Sequence, residues 1–106
     1  MAHLSGTFSS PYAGTLIVIF NGVWVQGGVR DAGFRSGPSN MLLRAKVGPY
    51  YTQSIDMKLP SSVSAFSYPG NTTWAISTEL VSSSTGGGVA IFGFQDLSLN
   101  FLLITR

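Results

Sequence analysis

The chain alternates short runs of β-branched and aromatic residues with breaks that contain glycine or proline, and this pattern restricts the fold most. No window shows the 3.6-residue apolar period and the capping residues that a helix needs, and the helix-forming residues Ala, Glu and Lys are sparse. Seven or eight short strands at this spacing are typical of an antiparallel sandwich. A length of 106 residues leaves room for one core. We therefore predict an all-β chain with a single β-sandwich domain over residues 1–106, of jelly-roll type.

The clearest local signal is Asn21-Gly22, which separates the apolar runs 15–20 and 23–26. Asn-Gly tolerates positive φ at both central positions of a type I′ turn, so the pattern predicts a tight β-hairpin. Further strands are predicted over residues 41–47, 52–59, 72–82, 89–94 and 97–105, with a short one around Val63 and Phe66.

Alternation within three of these strands predicts which side chains face the core. The inward sets are Met41, Leu43, Ala45 and Val47 in the first, Ile55, Met57 and Leu59 in the second, and Trp74, Ile76 and Leu80 in the third. Arg44 and Lys46 are predicted to face solvent. Both tryptophans, Trp24 and Trp74, are interpreted as core residues rather than as ligand-binding residues.

Two stretches are apolar on both faces, which a lone two-layer domain cannot cover completely. In the predicted hairpin, Leu16, Val18 and Phe20 oppose Ile17 and Ile19, and residues 101–104 repeat the pattern. A strand with two apolar faces needs a cover on each side, and leaving several such side chains in water forgoes several kcal/mol at about 25 cal/mol per Å². We therefore predict a homo-oligomer, the alternative being that the loop 27–40 folds over the hairpin. The predicted interface residues are Ile17, Ile19, Trp24, Leu102 and Ile104.

Charged residues make up only 9% of the chain, which contains no cysteine. Ser, Thr and Gly account for about a third of it, so the surface is predicted to act through hydrogen bonds and close contact rather than through long-range fields. No signal sequence is recognised at the N-terminus, and the longest apolar run, residues 16–20, is too short for a membrane span. This combination is typical of virion components, which assemble in the cytosol and leave by lysis, so we expect the chain in a virion or outside the cell.

Catalysis and cofactor binding are not expected. The single histidine, His3, has no evident acid partner, and the four carboxylates, Asp31, Asp56, Glu79 and Asp96, are dispersed. No nucleophile is accompanied by a base and an orienting group, and one histidine without cysteine makes a metal site improbable. Six Lys and Arg residues are too few to predict a phosphate-binding stripe, so nucleic acid is not an expected partner.

Two functional hypotheses follow from the sequence. The first is a structural, self-assembling component of a phage or virus particle, such as a capsid-decorating protein or a fibre-tip domain, which would also contact other particle proteins. The second is an oligomeric, lectin-like domain, because Tyr50 and Tyr51 follow a Gly-Pro turn while Tyr68 and Asn71 flank Pro-Gly. Aromatic and amide side chains presented at strand ends suit the recognition of sugars.

Overall fold

The computed structural model describes residues 4–26, 42–56, 59–82 and 92–106, with the backbone alone for residues 23–26, 82 and 92–96. Its seven strands are β1 (Ser5–Ser10), β2 (Gly14–Gln26), β3 (Leu42–Val47), β4 (Tyr50–Tyr51), β5 (Ser61–Tyr68), β6 (Thr72–Ser82) and β7 (Phe92–Thr105). They form a four-stranded sheet in the order β1-β6-β3-β4 and a three-stranded sheet in the order β5-β2-β7, with every strand pair antiparallel. The described residues include no helix. The predicted all-β class and two-sheet architecture are confirmed, whereas the jelly-roll topology is not.

The core lies between the two sheets and is built by alternate residues of each strand. On β2, Leu16, Val18 and Phe20 are fully buried, and they share one cluster with buried residues from the opposite sheet. The other members of this cluster are Leu43, Ala45, Val47, Ile55, Tyr68, Trp74, Ile76 and Leu97. The predicted alternation of β3 is confirmed for its described residues, and Met41 lies outside them. The predicted core position of Trp74 is also confirmed.

The hairpin prediction is wrong, because β2 continues through Asn21-Gly22 instead of turning there. Within the described residues only Asn71, Gly48 and Gly70 have positive φ, so the type I′ turn geometry is absent. Residues 14–26 pair with β7, and the register shifts between Asn21 and Val23. The Gly22 amide donates a hydrogen bond to the Pro60 carbonyl at 2.9 Å. The register advances by two residues on β2 and by three on β7 at this point, so the extra residue lies on β7. Residues 92–105 form one strand, β7, instead of the predicted two.

The predicted strand over residues 52–59 is also wrong. Strand β4 ends at Tyr51, and the described residues of this segment, 52–56 and 59, form only an isolated bridge between Ile55 and Leu43. Backbone hydrogen bonds still join Thr52 to Ala45 and Ile55 to Leu43, and side-chain hydrogen bonds supplement them. The Thr52 hydroxyl accepts from the Ala45 amide at 2.9 Å, and the Asp56 carboxylate accepts from the Leu59 amide at 2.7 Å. Such local bonds compete with strand pairing. Ile55 is buried as predicted, Leu59 is exposed, and Met57 lies outside the described residues.

Two further residues of the predicted pattern differ in the structure. Leu80 was expected to face the core and is exposed, at the point where the pairing of β6 with β3 shifts by one residue. Tyr68 was expected on the surface and is 1% exposed.

The Tyr68 hydroxyl joins three segments beneath the turn between β5 and β6. It accepts a hydrogen bond from the Ser10 amide at 3.0 Å, and the carbonyl oxygens of Ser10 and Thr72 both lie within hydrogen-bonding distance of it. Its ring packs edge-on against Phe8 and Trp74. One phenol therefore ties β1 to the start of β6.

We predict that Tyr68→Phe lowers the free energy of unfolding by about 1–3 kcal/mol, because it leaves backbone groups of Ser10 and Thr72 without their partner. Urea denaturation at one fixed protein concentration measures the change. Tyr12→Phe is the control, since Tyr12 is exposed, and it should change stability by less than about 0.5 kcal/mol. Equal stability of the Tyr68 variant and the wild type would contradict this role.

Gly48 begins the turn between β3 and β4 with φ of 61°. A Cβ at this position would lie 2.4 Å from the ring of buried Trp74, so both the backbone and the close approach require glycine. In this turn the Trp74 indole packs directly against the backbone of Gly48.

Gly48→Ala should therefore lower the unfolding free energy by roughly 2 kcal/mol or more, through backbone strain and displacement of the indole. Gly6→Ala is the matched control, because a Cβ there meets no atom within 4 Å. Thermal unfolding of the two variants compares them, and a Gly48 variant as stable as the Gly6 variant would contradict the prediction.

Candidate functional site

The outward side of the sheet β5-β2-β7 carries a continuous group of aliphatic side chains. We call it the outer apolar face; it comprises Ile17, Ile19, Val63, Ala65, Leu102 and Ile104. The register places Ile17 between Ala65 and Leu102, and Ile19 beside Val63. Ile104 pairs with Thr15 one step further along the sheet. Ile17 on the central strand is therefore the middle of this face.

No other part of the described chain covers these side chains fully. Ile19 is 37% exposed, Ile104 53%, and Val63 and Leu102 both 59%, while Ile17 is half-buried. Single exposed aliphatic residues are ordinary on protein surfaces, whereas a contiguous group of them is a candidate contact surface.

The surroundings of the outer apolar face are polar and uncharged. Its neighbours on the same side of the sheet are Thr15, Asn21, Ser61, Ser67, Ser98 and Asn100. The paired segments 14–21, 61–68 and 98–105 contain no Asp, Glu, Lys or Arg. Covering this face therefore buries no charge, and its hydroxyl and amide rim can still form hydrogen bonds.

The outward side of the other sheet has the opposite character. Arg44 forms an ion pair with Glu79 at 2.8 Å and lies over the Tyr51 ring, 3.7 Å from its centroid. The Lys46 ammonium lies 5.6 Å from the same ring. One outward side of the sandwich thus carries charged residues, and the other carries mainly aliphatic residues at its centre.

The structure brings four of the five predicted interface residues together. Ile17, Ile19, Leu102 and Ile104 share the outer apolar face, whereas the side chain of Trp24 lies outside the described part of the chain. The sequence reasoning missed Val63 and Ala65. Strict alternation along Ser61–Tyr68 places them opposite the half-buried Phe66, and this signal was available.

The residues predicted to bind glycans do not form one site. Tyr68 is enclosed in the core, so it presents no ring face to a sugar. Tyr50 is exposed at one edge but stacks on Phe66, with ring centroids 5.0 Å apart. Tyr51 is also exposed, and Arg44 lies over its ring.

Asn71 lies apart from this aromatic pair, in a polar hollow at the turns that follow β1 and β5. The hollow has a volume of about 360 Å³. Its lining consists of Ser9, Ser10, Pro11, Asn71, Thr72 and Thr73. Asn71 adopts φ of 48° in the turn, and its side chain is exposed.

The carboxylates of the described chain have structural partners. Glu79 pairs with Arg44, and Asp56 holds the Leu59 amide. Within the same residues no group of three potential metal ligands occurs. His3 and Asp31 lie outside the described residues, as does the side chain of Asp96.

No known protein family, no curated protein and no solved structure matches the chain. No helix within the described ranges is long and apolar enough to cross a membrane.

Proposed function

We propose that this chain is a structural, self-assembling component of a phage or virus particle, a capsid-decorating protein or the tip domain of a fibre, that acts through subunit packing and without catalysis. The observation that carries the proposal is the outer apolar face, an uncharged aliphatic surface on one side of an otherwise hydroxyl-rich sandwich. The particle context is supported by the low charge content of the chain. The corresponding location is the virion or, after lysis, the extracellular space.

A second copy of the chain is the expected cover. The outer apolar face together with its polar rim spans eight paired positions along β2, and at about 3.4 Å per residue and about 4.8 Å between strands its outline is roughly 27 by 15 Å. Two pleated faces of this size bury on the order of 1,000 Å² of accessible surface in contact, which reaches what a biological interface needs. Because the face carries no charge, it is compatible with itself across a two-fold axis.

Ile17→Lys should abolish this self-association, because a lysine at the centre of the contact would be buried without a counter-ion. We expect at least a tenfold weaker association, measured by light scattering and analytical ultracentrifugation. The free energy of unfolding of an isolated copy should change little, since position 17 is only half-buried within one chain.

Ala75→Lys is the matched control, since Ala75 is exposed on the sheet β1-β6-β3-β4 and also lies within a strand. It should assemble like the wild type. The proposal fails if Ile17→Lys associates as strongly as the wild type, or if both lysine variants weaken association equally.

The polar hollow supports the lectin-like alternative. Its lining consists mainly of hydroxyl-bearing residues and one amide around a volume of about 360 Å³, and several copies in an oligomer would add avidity to weak sites.

If this alternative holds, the assembled chain binds sugars saturably on a panel of immobilised glycans. Asn71→Ala should then weaken binding at least tenfold, and Tyr51→Ala tests the separate aromatic pair. Ile17→Lys should keep the affinity of a single site while losing avidity. Absence of glycan binding by the assembled wild type would eliminate the alternative and leave the structural role intact.

A further inference from the structure

The two long sides of the sandwich close differently. On the side next to β4 and β5, contacts connect the two sheets. The Tyr50 ring stacks on Phe66, and the backbone amide of Gln53 donates to the Ser64 hydroxyl at 3.1 Å. Between β1 and β7, the ring centroids of Phe8 and Phe101 lie 5.5 Å apart, and beside this contact the sheets part to form a cleft of about 350 Å³. Its lining consists of Leu4, Ser5, Gly6, Thr7, Ile76, Ser98, Leu99 and Phe101.

The cleft exists because an inward position of β1 has no side chain. Phe8 pairs with buried Trp74, and Gly6 pairs with buried Ile76, so both positions face the core. A Cβ at Gly6 would meet no atom within 4 Å. Leu99 and Phe101 on the facing strand are consequently only partly buried.

The outer edge of β1 carries backbone groups that pair with no described strand. β1 is the last strand of its sheet, and the carbonyl of Leu4, just before it, accepts from the Thr78 amide of β6 at 3.0 Å. Backbone groups alternate in direction along an antiparallel strand. Those of Ser5, Thr7 and Ser9 therefore point away from β6, along the rim of the cleft.

This edge lacks the features that keep strand edges from pairing. Residues 5–10 contain no charged residue and no proline, although lysine, proline and bulges are the usual protection of exposed edges. The opposite edge of the same sheet, β4, has only two residues, whereas β1 has six. The β1 edge is therefore the open one of this sheet.

We infer that the β1 edge is a second self-association surface, which pairs antiparallel with β1 of another copy. This inference rests on the proposed self-assembly but uses different residues. A two-fold axis at Thr7 would pair Thr7 with its counterpart, and Ser5 with Ser9 on each side. The strand is uncharged, and its backbone donors and acceptors complement their own copies, so a second copy fits it without burying or opposing a charge. The resulting sheet has eight strands, and the two clefts face each other across the contact.

Two surfaces on different sides of the molecule make the chain bivalent. The outer apolar face and the β1 edge belong to different sheets, so one copy can use both at once. If each copy forms one two-fold contact through the outer apolar face and another through the β1 edge, the assembly grows beyond a dimer. The edge contact covers less apolar surface than the outer apolar face, so it should dissociate first on dilution.

Thr7→Pro tests the edge, because it removes the central outward donor and leaves the hydrogen bonds to β6 in place. Thr7→Val is the matched control, since it retains the amide. Ser9→Pro removes another outward donor and replaces Thr7→Pro if that variant does not fold by circular dichroism. Sedimentation over a concentration series measures the mass of each variant, of Ile17→Lys and of the double variant.

We expect the wild type and Thr7→Val to grow beyond two chains with rising concentration. Thr7→Pro and Ile17→Lys should each stop at two chains, and the double variant should remain at one. The edge is overturned if Thr7→Pro grows like the wild type, or if Ile17→Lys alone is monomeric. The outer apolar face is overturned, and the edge retained, if Ile17→Lys assembles like the wild type while Thr7→Pro does not. If the wild type remains monomeric over the concentration series, neither surface is a self-association site, and the β1 edge could pair only with a strand of another protein.

Discussion

Strand β2 is apolar on both sides, and the described residues cover only one of them, whereas the loop 27–40, the alternative cover for the other side, lies outside those residues. Its inward residues Leu16, Val18 and Phe20 are fully buried against the other sheet, and they anchor the core. Their neighbours Ile17 and Ile19 must point the opposite way, because successive side chains alternate along a strand. β2 lies in the middle of its sheet, with β5 and β7 on either side, so its outward residues are the centre of a face rather than an edge. The same strand therefore both creates the core and exposes the outer apolar face.

The sequence predicted those features that depend on alternation within a single strand. Side chains two residues apart in a strand lie on the same face, so Leu43 and Val47 are buried together, and Ile17 and Ile19 share one side of the sheet. A distant contact can change this only by turning the whole strand over. Leu102 and Ile104 joined the same face because β7 pairs with β2 in a register that matches the two apolar patterns.

The sequence could not predict features that depend on distant partners. Asn21-Gly22 is a strong turn signal, but pairing along the full length of β7 and the hydrogen bond from Gly22 to Pro60 outweigh the local preference. Tyr68 precedes Pro-Gly and looks like a surface residue, yet its hydroxyl finds the Ser10 amide, 58 residues away. The cleft beside Gly6 depends on which strands form the edges of the two sheets, and topology of this kind is invisible in local composition.

The two outward sides of the sandwich differ in charge and in apolar surface. Three charged residues, Arg44, Lys46 and Glu79, lie on the four-stranded sheet near Tyr51. The three-stranded sheet has aliphatic side chains at its centre and hydroxyl and amide groups around them, which suits a contact that is dry in the middle and hydrogen-bonded at the rim. Low charge is therefore not uniform over the molecule. It is most pronounced on the outer apolar face and along β1, the two surfaces through which we propose that another copy packs.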